Sequence, residues 1–172
     1  MKKEAMSVRL FILGVALALA SGCGTRDPKP ATTHREEADH GHSHERGKMM
    51  LADLGPNHAG LTAHLSSKTG NELDILIETA NDSHSPVPLP LMKLTATART
   101  ADGKEHVLEF GPSEPEERKD DPSGKCSHFT AKAAWMKSED VLSVAARIEI
   151  DGKPQRVEWK DFNPKKYAHF EE

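Results

Sequence analysis

The sequence predicts an all-β fold, an immunoglobulin-like antiparallel β-sandwich of about seven strands, and three observations support this. Polar and inward-facing residues alternate with a period of two in seven separate segments after residue 60. Turn-forming residues, mostly Gly, Asn and Asp, stand between consecutive segments. The segments recur at a spacing of about 8–12 residues, which is typical of a sandwich. A small antiparallel barrel is the alternative.

Each of the seven segments has one face that is expected to point into the core. These inward residues are Leu61, Ala63 and Leu65; Leu73, Ile75 and Ile77; Met92, Leu94, Ala96 and Ala98; His106, Leu108 and Phe110; Phe129, Ala131, Ala133 and Trp135; Val144, Ala146, Ile148 and Ile150; and Val157 and Trp159. Tight turns are expected at 69–71, 101–103 and 151–152, because positive φ is needed there. We also expect a charged loop at 111–125 and a helical turn within 136–142.

Composition limits the possible functions. The 172 residues carry a formal charge of −4, two cysteines and ten histidines. A chain without a basic surface is a poor nucleic-acid binder, so no nucleic-acid partner is expected. Two cysteines are too few for a disulfide scaffold or a four-cysteine zinc site. The histidines are therefore the main compositional sign of chemistry.

The first 22 residues have the features of a secretory signal peptide. Lys2, Lys3 and Arg9 precede an apolar run at 10–20 that is too short to span a bilayer. The segment Leu-Ala-Ser-Gly at 19–22 directly precedes Cys23, and this arrangement resembles the lipobox of bacterial lipoproteins. The resemblance implies removal of residues 1–22, acylation of Cys23 (palmitate included) and a lipid anchor in the membrane. The alternative is an ordinary signal peptide that leaves Cys23 as a free thiol or half of a disulfide.

The resemblance also bears on location within the cell envelope. In enterobacterial lipoproteins an Asp after the acylated cysteine favours retention in the inner membrane, and this chain has Gly24 at that position. The periplasmic face of the outer membrane is therefore favoured over the inner membrane. Several acyl chains on one cysteine would hold the protein firmly.

Residues 23–48 are predicted to be a disordered, histidine-rich tether, because they contain no large apolar residue before Met49 and many charged residues. The tether carries His34, His40, His42 and His44, the last three in a His-x-His-x-His pattern. Neutral imidazole is the commonest protein ligand for Zn, Cu and Ni, so the tether is a candidate for capturing one of these metals. The alternative is a polar spacer whose histidines are incidental.

The start of the domain at 49–172 carries a second, looser resemblance. Gly47, Leu54-Gly55, His58-Ala59 and Pro86-Val87-Pro88 match the pattern of small His-rich exported β-sandwich proteins of bacteria. That group is associated with metal efflux, so the resemblance implies an efflux or other envelope protein as a partner.

Inside the domain, Cys126 and His128 are two residues apart on a predicted strand and are therefore expected to share its outward face. A thiolate and an imidazole would bind copper or zinc if His58 or His64 added a third ligand. Cys126 is otherwise a lone surface thiol, with roles in copper trafficking, redox chemistry or disulfide-linked dimerisation as alternatives.

The sequence contains no catalytic pattern, neither a Walker loop nor His-Glu-x-x-His nor Gly-x-Ser-x-Gly. We therefore expect a non-enzymatic, membrane-anchored binding module that captures divalent metal for homeostasis or efflux. The alternative is a structural or protein-interaction lipoprotein.

Overall fold

The computed structural model describes residues 45–170, which form ten β-strands and one 3-10 helix. The elements are β1 (Glu45–Arg46), β2 (Met49–Leu54), β3 (Asn57–Leu65), β4 (Glu72–Thr79), β5 (Leu94–Thr100), β6 (Glu105–Pro112), η1 (Pro115–Arg118), β7 (His128–Lys132), β8 (Leu142–Ile150), β9 (Lys153–Phe162) and β10 (Ala168–Phe170). None of these residues belongs to a helix long and apolar enough to cross a bilayer.

The strands hydrogen-bond in the order β1-β2-β3-β4-β7-β6-β5-β8-β9, and β10 lies parallel to the end of β3. The chain thus forms two layers, with β2, β3, β4 and β7 in one and β6, β5, β8 and β9 in the other. Gly111 and Pro112 at the end of β6 pair with β7 and join the layers at one edge. The orders β3-β4-β7 and β6-β5-β8-β9 correspond to A-B-E and C′-C-F-G of an immunoglobulin-like sandwich. The predicted fold class is confirmed.

The core lies between the two layers. Its largest fully buried side chains are Trp159, Phe110, Phe129 and Phe162, surrounded by Leu, Ile, Val and Ala. Nε1 of Trp159 on β9 donates a 3.0 Å hydrogen bond to the carbonyl of Ala59 on β3, so the indole ties one layer to the other. A buried indole N–H without such a partner would be costly.

Every predicted segment corresponds to a strand, β3 to β9, and most of the predicted inward residues are buried. The exceptions are Met92, which is exposed and precedes β5, and Trp135 and His106, which are half-buried and stack with ring centroids 3.7 Å apart. The predicted turns are confirmed by positive φ at Gly70, Gly103 and Asp151–Gly152.

Three strands were not predicted. The apolar run of β2 shows no clean alternation, because Leu51 and Ala52 face opposite sides and are both buried. The two residues of β1 and the three of β10 are too short to carry a pattern. Because β1 pairs with β2, two residues of the predicted tether, Glu45 and Arg46, lie in a strand.

The helical turn expected within 136–142 is not formed. This segment contains an isolated turn, in which the Asp140 carboxylate accepts a 2.8 Å hydrogen bond from the backbone N–H of Lys137. Among residues 45–170, the single helical turn lies instead at 115–118 inside the charged loop. It begins with Pro115, whose fixed φ suits the first position of a helix.

Candidate functional site

Two buried carboxylates lie on the outer face of β4, the side away from the core. Asp74 and Glu78 alternate with the inward residues of this strand and are nevertheless only 2% and 3% exposed. A buried carboxylate is costly without hydrogen bonds or opposite charges. Each therefore marks a place where neighbouring elements must supply polar partners, and in both cases histidines lie beside it.

The first group, the Asp74 cluster, consists of Asp74, His64, His128 and Glu117. The strand register places Thr62 of β3 and Thr130 of β7 opposite Asp74, so His64 and His128 lie diagonally on either side of it. Oδ2 of Asp74 is 2.7 Å from Nε2 of His64 and 3.8 Å from Nε2 of His128. Nδ1 of His128 lies 3.8 Å from Oε2 of Glu117 on η1.

The electrostatics of the Asp74 cluster favour an ionised carboxylate. Burial alone would raise the pKa of Asp74. The opposite effect is larger and comes from hydrogen bonds with His128, His64 and Thr130 and from the positive charge of His64, so this pKa is held far below its ordinary value. Asp74 is thus an anionic oxygen held between two imidazoles.

A cavity of about 440 Å³ opens over the Asp74 cluster. Its wall includes His169 of β10, which the parallel pairing of β10 with β3 places directly beside His64. The two imidazole centroids are 5.5 Å apart. Two imidazoles on one tetrahedral metal have centroids about 5 Å apart, given metal–nitrogen bonds of about 2.1 Å. His169 is therefore within range of a metal bound at the cluster.

Met49 covers the cavity from the β2 side. Its side chain lies across Gly60 of β3, where an added Cβ would overlap the methionine sulfur. At the floor of the cavity, Oγ1 of Thr62 lies 2.8 Å from the carbonyl of Lys48 and 2.7 Å from that of Tyr167. Gly60 thus allows a thioether, a soft ligand, to lie at the edge of a histidine-lined cavity.

The second group, the Glu78 cluster, consists of Glu78, His58, His84 and Asp53. Asp53, His58 and Glu78 are register partners across β2, β3 and β4, so they lie in one row. Oε1 of Glu78 is 3.2 Å from Nδ1 of His84, and Nε2 of His58 is 3.6 Å from Oδ1 of Asp53. Beyond β4, the crossover after Thr79 completes the cluster by bringing in His84.

The structure separates the residues predicted as one metal site. His128 and His64 meet at Asp74, while His58 belongs to the Glu78 cluster. Cys23, His34, His40, His42 and His44 lie outside the described residues.

The expectation that Cys126 shares the outward face with His128 is wrong, because Cys126 is 0% exposed in the core. The chain bends at Ser127, whose N–H and hydroxyl each donate a 2.7 Å hydrogen bond to the Asp121 carboxylate, and this shifts the alternation. The Cys126 thiol donates to the carbonyl of His128, and burial raises its pKa. Within residues 45–170 it has no disulfide partner, and its burial removes it from surface redox or dimer chemistry.

Sequence reasoning missed Asp74, Glu78, Glu117, His84 and His169 as site residues. One signal was present: Asp74 and Glu78 are acids on a strand whose remaining side chains are mostly apolar, and strands covered on both sides rarely carry unpaired acids. The pairing of His64 with His169 depends on β10, for which no pattern exists.

Among residues 45–170, no three His, Cys, Asp or Glu side chains are already arranged around a common metal position. In the Asp74 cluster, Nε2 of His64 is 2.7 Å from Oδ2 of Asp74, closer than two ligands of one metal ion, and Nε2 of His128 is farther away at 3.8 Å. Metal binding there requires the proton between His64 and Asp74 to leave and these two side chains to separate slightly.

Comparison with known proteins adds little to this description. No protein-family model and no curated protein matches the chain. Among solved structures, the chain is similar to one described as "Crystal structure of Br derivative BhCBM56", with 13% sequence identity and a TM-score of 0.35. The match covers 64% of this chain and 98% of that chain. A likeness this low carries no argument about function.

Proposed function

We propose that the protein is a lipid-anchored bacterial envelope protein whose β-sandwich binds a divalent transition metal, Zn, Cu or Ni, at the Asp74 cluster. The observation that supports this most strongly is that two imidazoles direct Nε2 at the same buried carboxylate oxygen, at 2.7 Å for His64 and 3.8 Å for His128. A buried structural carboxylate needs one such partner, and here two histidines and an open cavity surround it.

The ligand set suits a borderline cation. Two imidazoles and a carboxylate are ligands of zinc, and a site with three protein ligands leaves a fourth position open. Tetrahedral bonds of about 2.1 Å place ligand atoms about 3.4 Å apart. The distances from Oδ2 of Asp74 to His64 and His128 lie on either side of that value, so shifts below 1 Å bring each imidazole nitrogen to that separation from the carboxylate oxygen.

The surrounding groups favour the same chemistry. Metal-bound histidines usually donate the second ring N–H to a carboxylate, and Glu117 lies 3.8 Å from the second nitrogen of His128. His169 and Met49 line the open side of the cavity, where they can provide the fourth ligand. The nitrogen pair and the thioether together favour zinc or copper over calcium and magnesium, which take oxygen ligands.

The sequence features outside the described residues fit this role. Lipidation at Cys23 would hold the domain at the membrane, and the histidines at 34–44 would collect metal near an efflux or envelope partner. The alternative is a docking lipoprotein, which needs a contiguous apolar surface. Within residues 47–169, the exposed large apolar side chains are Met92, Val107 and Val141.

The test uses the full chain in detergent with His34, His40, His42 and His44 replaced by Ser, so that only the domain's histidines remain. Calorimetry with zinc, copper and nickel measures the affinity of this chain and of a further His64→Ala variant. We expect His64→Ala to weaken binding by at least about 10-fold, the minimum seen for groups that merely orient ligands. His106→Ala is the matched control, because His106 stacks on Trp135 away from the cavity. Equal affinities for all three chains would refute the proposal.

Lipidation has a separate test. Cells expressing the unmodified chain and a Cys23→Ala variant are labelled with palmitate, and the protein is isolated from the membrane fraction. We expect label in the first chain alone. Equal labelling of both chains would remove the lipid anchor from the proposal and leave the metal site untouched.

A further inference from the structure

From the geometry of the Glu78 cluster we infer that it is a second divalent-cation site, separate from the Asp74 cluster and formed by His58, His84 and Glu78. The cation class is again a borderline metal such as zinc or nickel, because the set is two imidazoles and one carboxylate. This inference concerns different residues from the proposed function and does not require the first site to bind.

The spacing of the ligand atoms supports a cation site at the Glu78 cluster. Oε1 of Glu78 and Nδ1 of His84 are 3.2 Å apart, close to the separation of about 3.4 Å between two ligands of one tetrahedral zinc ion. His58 is the direct register partner of Glu78 across β3 and β4, and directly opposed residues have Cβ atoms about 5 Å apart. All three residues therefore lie at one end of the outer face.

The surroundings of His58 also support a cation site at the Glu78 cluster. On the side of β2, Oδ1 of Asp53 lies 3.6 Å from Nε2 of His58. A carboxylate at one ring nitrogen favours the tautomer protonated there and makes the other nitrogen, Nδ1, the basic one. His58 is 2% exposed, so its ring is fixed by its surroundings rather than sampling solvent.

The backbone conformation at His84 also supports a cation site at the Glu78 cluster. His84 has φ +45, a conformation that non-glycine residues rarely adopt, and its N–H donates a 3.1 Å hydrogen bond to the carbonyl of Asn81. Asn81 is further held by Ser83, whose hydroxyl donates a 2.6 Å hydrogen bond to its side chain. Because His84 remains 31% exposed, a cation can reach the cluster from this side.

The two clusters are too far apart to share one ion. Asp74 and Glu78 are four residues apart on β4, which corresponds to about 13 Å along a strand. Each cluster therefore binds its own cation, and the domain binds two.

The experiment measures zinc stoichiometry by equilibrium dialysis on the full chain in detergent with His34, His40, His42 and His44 replaced by Ser. We expect two zinc ions per chain, one after His84→Asn, and one after His64→Ala. Asn is chosen at residue 84 because it tolerates positive φ, so the variant removes the imidazole and keeps the turn. Circular dichroism confirms that each variant is folded.

A gentler variant covers the case in which His84→Asn disturbs the fold. Asp53→Asn changes an exposed carboxylate that lies beside His58, and it should weaken the second site by about 10–100-fold while leaving the first unchanged. If His84→Asn and Asp53→Asn leave zinc stoichiometry and affinity unchanged, the Glu78 cluster is a hydrogen-bonded structural group and the inference is wrong. The loss of one zinc ion in His64→Ala alone would then still support the proposed function. The loss of one zinc ion in His84→Asn alone would instead support the second site and refute the proposed function.

Discussion

The Asp74 cluster and the Glu78 cluster share a plan but differ in what covers them. In each, a buried carboxylate of β4 has one histidine from β3 and one from a later segment, and an exposed carboxylate lies at one of the histidines. The Asp74 cluster lies between strands beneath an open cavity, whereas the Glu78 cluster is completed by the crossover after β4. The Asp74 cluster is therefore built mainly on strands, whereas the Glu78 cluster depends on one turn with positive φ at His84.

The largest difference should appear when each buried carboxylate is neutralised in the metal-free protein. Asp74→Asn removes an ionised group held by His64 and His128, and breaking such a buried interaction costs about 3 kcal/mol of unfolding free energy. Glu78→Gln should cost less, because the contact of Glu78 with His84 is longer and half open to solvent. Urea unfolding at pH 7 measures both, and a larger loss for Glu78→Gln would reverse the comparison.

The pH dependence of stability should also be traceable to Asp74. Its pKa in the folded chain lies below the ordinary value of 3.8, so the unfolded chain takes up the proton first as the pH falls. The stabilisation is complete above about pH 5 and is lost as the pH falls below 4 towards the folded-state pKa, with a slope of up to about 1.4 kcal/mol per pH unit. Urea unfolding between pH 3 and 6 measures this slope. It should be smaller in Asp74→Asn, and an unchanged slope would show that other carboxylates produce it.

The packing beside the Asp74 cluster can be disturbed in the metal-free protein. Gly60→Ala places a Cβ where the sulfur of Met49 lies, and overpacking of this kind costs about 1–3 kcal/mol. Met49→Ala made together with Gly60→Ala should recover much of that loss, since the second change removes the clash. Thermal unfolding of the single and double variants tests this, and simple additivity of the two losses would argue against the clash.

The smallest effect is expected at the turn of the Glu78 cluster. His84→Asn keeps a residue type that accepts positive φ, so the metal-free protein should lose less than about 1 kcal/mol. His84→Val, whose branched side chain disfavours this conformation, is the matched comparison and should lose more. Equal losses in urea unfolding would show that the strained backbone contributes nothing to the cluster.

The layers of the fold could be predicted from the sequence, because period-two alternation records which side chains face the core. Strand β8 is an example, with Val144, Ala146 and Ile148 all buried as expected. Strand β2 could not be predicted, because a strand covered on both faces loses the alternation. The fold class therefore follows from half-buried strands and their turns, and the remaining strands are found only in three dimensions.

The candidate site was predictable only in part. His64 on an outward face follows from alternation, whereas its contact with Asp74 depends on the register between β3 and β4. Cys126 was misplaced because the bend at Ser127, held by Asp121, breaks the alternation that the spacing to His128 implied. Side chains that meet across strands are set by register, and a single sequence records register weakly.

The most direct test of a metal site at the Asp74 cluster is anomalous diffraction at the zinc edge from crystals of the zinc-loaded protein. The account predicts a peak about 2.0–2.2 Å from Nε2 of His64, Nε2 of His128 and Oδ2 of Asp74, with the His64–Asp74 hydrogen bond replaced by two metal bonds. Crystals in which this position holds no zinc and the hydrogen bond remains at 2.7 Å would contradict it, whether or not zinc is bound at the Glu78 cluster.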